Sequence, residues 1–209
     1  MRSWIALVAA VGVLTLAAGC TDRESGEATP GSSNTSTSTP DGTSSDAPSG
    51  SESPTVEIPP RPRDLSLDGL DPCTLFTDAQ RAQLTVDDVR SKEASGDHYK
   101  GMRECDLEKA TQEPFLTYSV IAATNEGVEF WLGGNRNADA KLISIGGYPA
   151  AQFSTKGVDT DCVVAVGVAD GQHIQVEMTP WSGDFTQDDI CQASEQAAEM
   201  ALQTLQTLK

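Results

Sequence analysis

Cys20 divides the chain into a targeting segment and the part that has to fold. Arg2 is followed by a mostly apolar run over residues 5–18. That run is shorter than the ~20 residues needed to span a bilayer, but its length is typical of a secretory signal peptide. It ends in the letters LAAGC, and polar Thr21 and Asp22 follow at once. The sequence therefore predicts export, and only the part beyond Cys20 remains to form the mature protein.

The letters LAAGC closely resemble a lipobox, the site where a diacylglycerol is attached to cysteine and the signal is removed. Ala17 occupies the place where such sites usually have leucine. We predict that residues 1–19 are a lipoprotein signal peptide and that Cys20 is the lipidation site. Two or more acyl chains, palmitate among them, would make anchoring permanent. The protein would then sit on the extracytoplasmic face of the cell membrane, where its partners would be the membrane itself and an envelope protein or cell-wall component. The alternative is an ordinary secretory signal.

Residues 21–60 consist largely of Ser, Thr, Gly, Pro and acidic residues. Such a stretch has too little apolar surface to offset the entropy lost on ordering, so residues 20–60 are predicted to be a lipidated cysteine and a disordered tether. A plain spacer and an O-glycosylated stalk both fit this composition. The remaining residues, 61–209, have the size of a single globular domain.

The formal net charge of -17 limits the partners that this domain can bind. Phosphate backbones repel a surface of this sign, so nucleic acid is not an expected partner.

Four cysteines follow Cys20, at positions 73, 105, 162 and 191. An even number in an exported domain predicts two disulfides. Of the three possible connectivities we favour Cys73–Cys105 and Cys162–Cys191, because each pair closes a loop within one half of the domain. A zinc site built from the four thiolates is the alternative, but the sequence has no C-x-x-C pair to support it.

Sequence patterns predict a helix at the start of the domain and strands after it. Asp71-Pro72 is a good helix start, and the letters TDAQ from Thr77 form a capping box. An apolar stripe is expected along this helix, at Leu75, Ala79, Ala82 and Val86. A mobile polar stretch is expected near residues 91–98. Extended segments are expected over residues 99–107, 115–124, 141–145 and 149–154, with an ambiguous segment at 126–138.

A β-hairpin over residues 162–179 and a C-terminal helix complete the predicted order. Asp170-Gly171 predicts a type I′ turn, which would set Ile174, Val176 and Met178 opposite small residues. The apolar residues Ile190, Ala197, Ala201, Leu205 and Leu208 recur at helical spacing. The predicted fold is α+β: an antiparallel sheet packed against an N-terminal and a long C-terminal helix, braced by two disulfides.

Four short motifs resemble those of a known family. They are DPCTLFT at residues 71–77, GGYPA at 146–150, DCVVAV at 161–166 and ICQA at 190–193. Together with the lipobox and the tether they are similar to the actinobacterial lipoproteins grouped as domain of unknown function 3558. The resemblance implies an envelope lipoprotein, and it assigns no catalytic residue.

No sequence motif indicates catalysis, a metal or a cofactor, so we expect a protein that is not an enzyme. His98 and His173 are far apart in sequence, and each is expected to be solvated or locally bonded. Glu104, Asp106 and Glu108 alternate along a predicted strand, where an exposed strand face is the expected role.

Aromatic residues are the candidates for contact with a ligand or partner. Phe130, Trp131 and Trp181, with Met178, are predicted to line an apolar pocket or contact surface, although core packing would also explain them. The first hypothesis is therefore a non-enzymatic binding module. The second is a carrier or sensor of an apolar small molecule or lipid, with its pocket between the sheet and the terminal helix. The third is a hydrolase that uses carboxylates.

Overall fold

A computed structural model describes residues 56–95, 98–134 and 136–209. The predicted signal peptide, Cys20 and the tether up to residue 55 lie outside the described residues. The described residues contain one seven-stranded antiparallel sheet and three α-helices, and they confirm the predicted α+β class.

The strands are β1 (Asp88–Glu93), β2 (Arg103–Lys109), β3 (Leu116–Ala123), β4 (Ala138–Ile145), β5 (Tyr148–Thr155), β6 (Val163–Ala169) and β7 (Gln172–Pro180). The helices are α1 (Asp78–Gln83), α2 (Glu129–Leu132) and α3 (Gln187–Leu208), and a 3-10 turn spans Pro72–Leu75. The strands lie in the order β1-β2-β3-β7-β6-β5-β4, which places the β6–β7 hairpin at the centre of the sheet.

One face of the sheet, called here the helix face, packs against α3. The sheet contributes buried apolar side chains that alternate along its central strands: Val120, Val164, Val166, Ile174, Val176 and Met178. The helix contributes Ile190, Ala197, Ala198, Ala201, Leu202 and Leu205. Small alanines let α3 approach the sheet closely, and this interface forms the main core. The opposite face of the sheet is called the far face.

The long helix α3 begins at a capping box. The side chain of Thr186 accepts from Asp189 N–H, and the Asp189 carboxylate accepts from Thr186 N–H, which completes a capping box. Ser194, a buried residue of α3, joins the helix to the hairpin. Its oxygen accepts from Met178 N–H (2.9 Å), and its hydroxyl donates to the carbonyl of Cys162 (2.9 Å).

The N-terminal helix differs from the prediction. Pro72–Leu75 is a 3-10 turn, and α1 is a separate six-residue helix that buries no side chain. Two capping residues explain the break, because Asp71 caps the turn and Thr77 then caps α1 with a capping box. Of the expected apolar stripe, Leu75 is buried and Val86 packs partly buried against the core, but Ala79 and Ala82 are exposed on α1. Phe76 enters the core beside Leu75.

The prediction of a mobile polar stretch near residues 91–98 is also wrong in part. Residues 91–93 belong to β1, an edge strand that pairs only with β2. Because one side of this strand and most of its side chains face solvent, its sequence carries no apolar alternation.

The hairpin forms, but its predicted register is wrong by one residue. A β-bulge between Gly167 and Ala169 sets Val164 opposite Val176 and Val166 opposite Ile174. A type I′ turn needs positive φ at both central residues, and here only Gly171 has it, at 65°. The extra residue in the bulge puts the large apolar side chains of both strands on the helix face.

Both disulfides form in the favoured connectivity, so the zinc hypothesis for these cysteines is wrong. Cys73–Cys105 joins the 3-10 turn to β2, and Cys162–Cys191 joins the start of β6 to α3. Each bond closes a loop of about 30 residues and contributes roughly 3 kcal/mol in the chain-entropy model.

Replacing Ser194 with alanine should destabilise the domain by about 2 kcal/mol, because Met178 N–H and the Cys162 carbonyl would lose a buried partner. Urea unfolding at neutral pH measures the change. Gln196→Ala is the matched control, since Gln196 is exposed on the same helix. Equal midpoints for the two variants would contradict a structural role for Ser194.

Candidate functional site

The far face is polar along its central strand. His173, Gln175, Glu177 and Thr179 of β7 point to this face, because they alternate with the apolar residues that face α3. In register, Glu177 lies beside Ser119 of β3. One part of this face is covered by α2 and by residues 94–95 and 98–102, and two clefts open beside them.

Two histidines meet one carboxylate in the covered part. Glu126 is buried; its Oε2 lies 2.5 Å from His98 Nε2, and its Oε1 lies 3.9 Å from His173 Nε2. His173 is fully buried, and its Nδ1 lies 3.0 Å from the carbonyl of Glu126. His98 Nε2 is also 2.8 Å from Nη2 of Arg136. The sequence predicts solvated or locally bonded histidines, whereas the fold brings both to Glu126, which is 28 positions from His98 and 47 from His173 in the chain.

Burial determines the protonation of this cluster. It raises the pKa of Glu126, while His98, Arg136 and the hydroxyl of Tyr99 act in the opposite direction. Burial also lowers the pKa of His173 from 6.5 to about 4, so this imidazole is neutral at physiological pH. Burial raises the pKa of Tyr99, and its hydroxyl donates to Gln175 Oε1 at 2.5 Å. The cluster holds residues 98–102 against the sheet.

A continuous aromatic row borders this cluster. His98 stacks on Phe130 with ring centroids 4.5 Å apart, and Phe130 meets Trp131 edge-on at 5.2 Å. Trp131 stacks on Phe153 at 3.9 Å. The guanidinium of Arg136 lies 3.6 Å from the centre of the Phe130 ring. The row is held rigidly, which agrees with packing as the main role of Phe130 and Trp131.

The first cleft, called here the acidic cleft, opens beside Trp131 and has a volume of about 350 Å³. Its polar lining includes Asp161, Gln175 and Glu177. Burial raises the pKa of Glu177, and the charges of Asp161 and Glu104 raise it further. The carboxylate of Asp161 accepts from Thr155 N–H at 3.0 Å. Two carboxyl groups in different environments therefore share one cleft.

The carboxylates of β2 have a structural role. Glu104 and Asp106 are buried, and Lys92 Nζ lies 3.4 Å from the first and 2.6 Å from the second. Glu108 pairs with Arg90. The predicted exposed strand face is therefore wrong for Glu104 and Asp106, because β1 supplies cations that cover them.

The second cleft, called here the Trp181 cleft, has a volume of about 420 Å³. It is lined by Arg90, Glu108, Lys109, Ala110, Phe115, Leu116, Thr117 and Trp181. Trp181 is 71% exposed. Its indole Nε1–H nevertheless donates to Thr117 Oγ1 at 2.9 Å, and its backbone N–H donates to the carbonyl of Phe115 at 2.8 Å. A large exposed ring is thus held in one orientation.

Met178 lies apart from the three aromatic candidates. It is on the helix face, 1% exposed and packed under α3. A further cleft of about 370 Å³ opens between the start of α3 and strands β4 and β5. Its lining is mainly polar and includes Lys141, Gln152 and Asp188. The geometry on this side of the sheet does not favour an apolar ligand.

The chain enters the domain at the opposite end of β7 from Trp181. Arg61 pairs with Asp170 in the turn that precedes β7. The nine residues of β7 then span about 26 Å before Trp181. The Trp181 cleft and Arg61 therefore lie at opposite ends of β7.

Sequence analysis identified Trp181 and Trp131 but missed the polar residues beside them. The sequence does contain a signal for Gln175 and Glu177, because these polar residues alternate with apolar ones along β7. Since β7 has a neighbouring strand on each side, such polar residues mark a polar face in the middle of the sheet. Asp161 and Arg136 lie in loops, and no pattern in the sequence marks them.

The described residues contain no group of three or more His, Cys, Asp or Glu side chains arranged to hold a metal ion. In the same part of the chain, each helix is either too short or too polar to cross a membrane.

One comparison with known proteins gave a match. The family model described as "Protein of unknown function (DUF3558)" matches residues 15–204. No curated protein and no solved structure matches the chain.

Acid should destabilise the domain through His173. The unfolded chain binds a proton at this residue below about pH 6.5, whereas the folded chain binds it only near pH 4. Stability contributed by neutral His173 is therefore lost as the pH falls through this window, by about 3 kcal/mol in total. The raised pKa of Glu126 acts with the opposite sign, since ionisation of this buried carboxyl costs stability as the pH rises.

The comparison of wild type with His173→Gln isolates the histidine contribution. Urea unfolding at pH 4, 5, 6 and 7 should show a wild type that loses about 3 kcal/mol more than the variant. Parallel pH profiles for the two proteins would show that His173 titrates normally in the fold.

Proposed function

The chain belongs to the family Protein of unknown function (DUF3558), and we propose that it is a lipid-anchored envelope protein whose domain is a non-enzymatic binding module. The family description assigns no activity, so the proposal depends on the sequence of the N-terminus and on the surfaces of the domain.

The extent of the family match supports the lipid anchor. The match begins at residue 15, so it includes Cys20 as well as the domain. The matched range thus joins the end of the predicted signal peptide to the domain, which agrees with a lipid-anchored protein. The acidic composition agrees with a partner other than nucleic acid.

Replacing Cys20 with serine should release the protein from the membrane, because no residue would then carry the acyl chains. Fractionation of producing cells measures the effect: wild type should sediment with membranes and C20S should appear in the soluble exported fraction. A C20S protein that stays in the membrane fraction would contradict lipid anchoring at this residue.

The observation that carries the binding role is the fixed exposure of Trp181. An exposed tryptophan normally costs free energy, and burying it against a partner recovers that cost. Tryptophan and arginine are also the residues that most often dominate binding energy, and Arg90 lies in the same cleft. Because the ring is held by Thr117, little side-chain entropy is lost on binding.

The position of the cleft supports the same role. Arg61, near the start of the described residues, pairs with Asp170 at the opposite end of β7 from Trp181, so this contact leaves the Trp181 cleft uncovered.

Binding to cell wall freed of membrane tests this proposal. The detergent-solubilised full chain should sediment with isolated wall material, and Trp181→Ala should weaken this binding at least tenfold, because a central tryptophan contributes about 2 kcal/mol or more. Leu208→Ala is the matched control, since Leu208 is also exposed, at 51%, but lies at the end of α3. Equal loss in both variants, or none in either, would refute the proposal.

One observation favours a second candidate, a hydrolase that uses carboxylates. Asp161 and Glu177 line the same cleft, and the raised pKa of Glu177 is the property that a general acid needs. Asp161, which accepts a hydrogen bond from Thr155 N–H, would then supply the second carboxyl group. The Trp181 cleft has no such pair, so binding remains the preferred function.

A further inference from the structure

We infer that the Trp181 cleft is a carbohydrate subsite that binds a pyranose unit of a saccharide chain, an inference that rests on the binding role proposed above. A pyranose has one apolar C–H face and a rim of hydroxyl groups. Its binding site needs a flat aromatic surface with donors and acceptors around it, and the cleft supplies both.

The aromatic surface is the indole of Trp181. Four hydrogen bonds hold its segment to the start of β3. Trp181 Nε1–H donates to Thr117 Oγ1, and the N–H groups of Trp181 and Ser182 both donate to the carbonyl of Phe115. In return, Phe115 N–H donates to Ser182 Oγ at 2.9 Å. The polar atom of the indole is thereby used internally. What remains exposed is the apolar ring, and this is the part that a C–H face contacts.

The rim supplies hydrogen-bonding groups of both kinds. Arg90 and Lys109 are donors, and Glu108 is an acceptor. Glu108 pairs with Arg90, and Asp88 Oδ2 lies 3.6 Å from Arg90 Nε, so the charge of the guanidinium is balanced inside the protein. A hydroxyl group, which donates and accepts, suits such a balanced pair better than a charged ligand does.

The surroundings of the ring argue against a large protein partner. Among the described residues, the large apolar side chains that are exposed are Val56, Val158, Trp181 and Leu208. The other three lie at the entry of the chain, in the loop after β5 and at the end of α3. Trp181 is therefore a single apolar ring among polar groups, whereas the core of a protein interface is a larger apolar patch.

The test uses the detergent-solubilised full chain with cellotetraose, maltotetraose and chitotetraose. Saturation-transfer NMR should show transfer to the C–H protons of one ring face in at least one of these saccharides, since only that face contacts the indole. Titration calorimetry of the same saccharide should then show binding about tenfold weaker for Trp181→Ala. Trp181→Phe should retain part of the affinity.

Two further variants separate stacking from a general loss of structure. Thr117→Val removes the hydrogen bond that orients the indole, so it should weaken saccharide binding several-fold. Saturation transfer should still reach the same saccharide protons, because the ring itself remains. Leu208→Ala should bind as wild type does.

The results distinguish this inference from the proposal beneath it. If the wall material binds through Trp181 but none of the three saccharides does, the carbohydrate inference is wrong and the binding role stands. If Trp181→Ala also leaves binding to the wall material unchanged, the carbohydrate inference and the proposed binding role are both wrong. Saccharide binding that is lost in Glu177→Gln but kept in Trp181→Ala would place the ligand in the acidic cleft. Cleavage of the saccharide in that cleft would favour the hydrolase. Either result overturns the carbohydrate inference.

Discussion

The packing of α3 on one face of the sheet is the interaction on which the rest of the structure depends. Fully buried alanines bring the helix close to the central hairpin, while Ser194 satisfies a backbone N–H on one strand and a carbonyl next to the other. The disulfide between Cys162 and Cys191 holds the same contact covalently. On the far face, α2 and residues 94–95 and 98–102 cover one part of the sheet, and two clefts open beside them.

The far face has two kinds of polar group: buried groups that stabilise the fold, and groups that line the open clefts. Glu126 and His173 are buried, and the cluster that they form holds the cover in place. Glu104 and Asp106 are likewise neutralised by Lys92. What remains accessible is the acidic cleft beside Trp131 and the Trp181 cleft. The second lies beyond the end of β7, at the opposite end of this strand from the contact between Arg61 and Asp170.

Sequence patterns predicted the elements whose burial is one-sided or complete. Strand β3, the hairpin and α3 were found because apolar residues repeat in them with the period of the element. The edge strand β1 was missed because solvent on most sides removes that period. The predicted hairpin register is wrong because the expected type I′ turn needs two residues with positive φ. Only Gly171 has positive φ, and the hairpin contains a β-bulge instead. Trp181 was named as a contact residue, but its exposure could not be predicted, since core packing explained an isolated tryptophan equally well.

The sequence by itself determined the α+β class, the favoured disulfide pairing and the family to which the chain belongs, because composition, spacing and short motifs are local properties. Tertiary structure alone decided which polar residues meet. His98, Glu126 and His173 are separated by 28 and 47 positions in the chain, and Asp161 and Glu177 come together only when β6 pairs with β7. The physical reason is that burial and neighbouring charge give these groups their properties, and both depend on contacts between segments that are distant in the sequence.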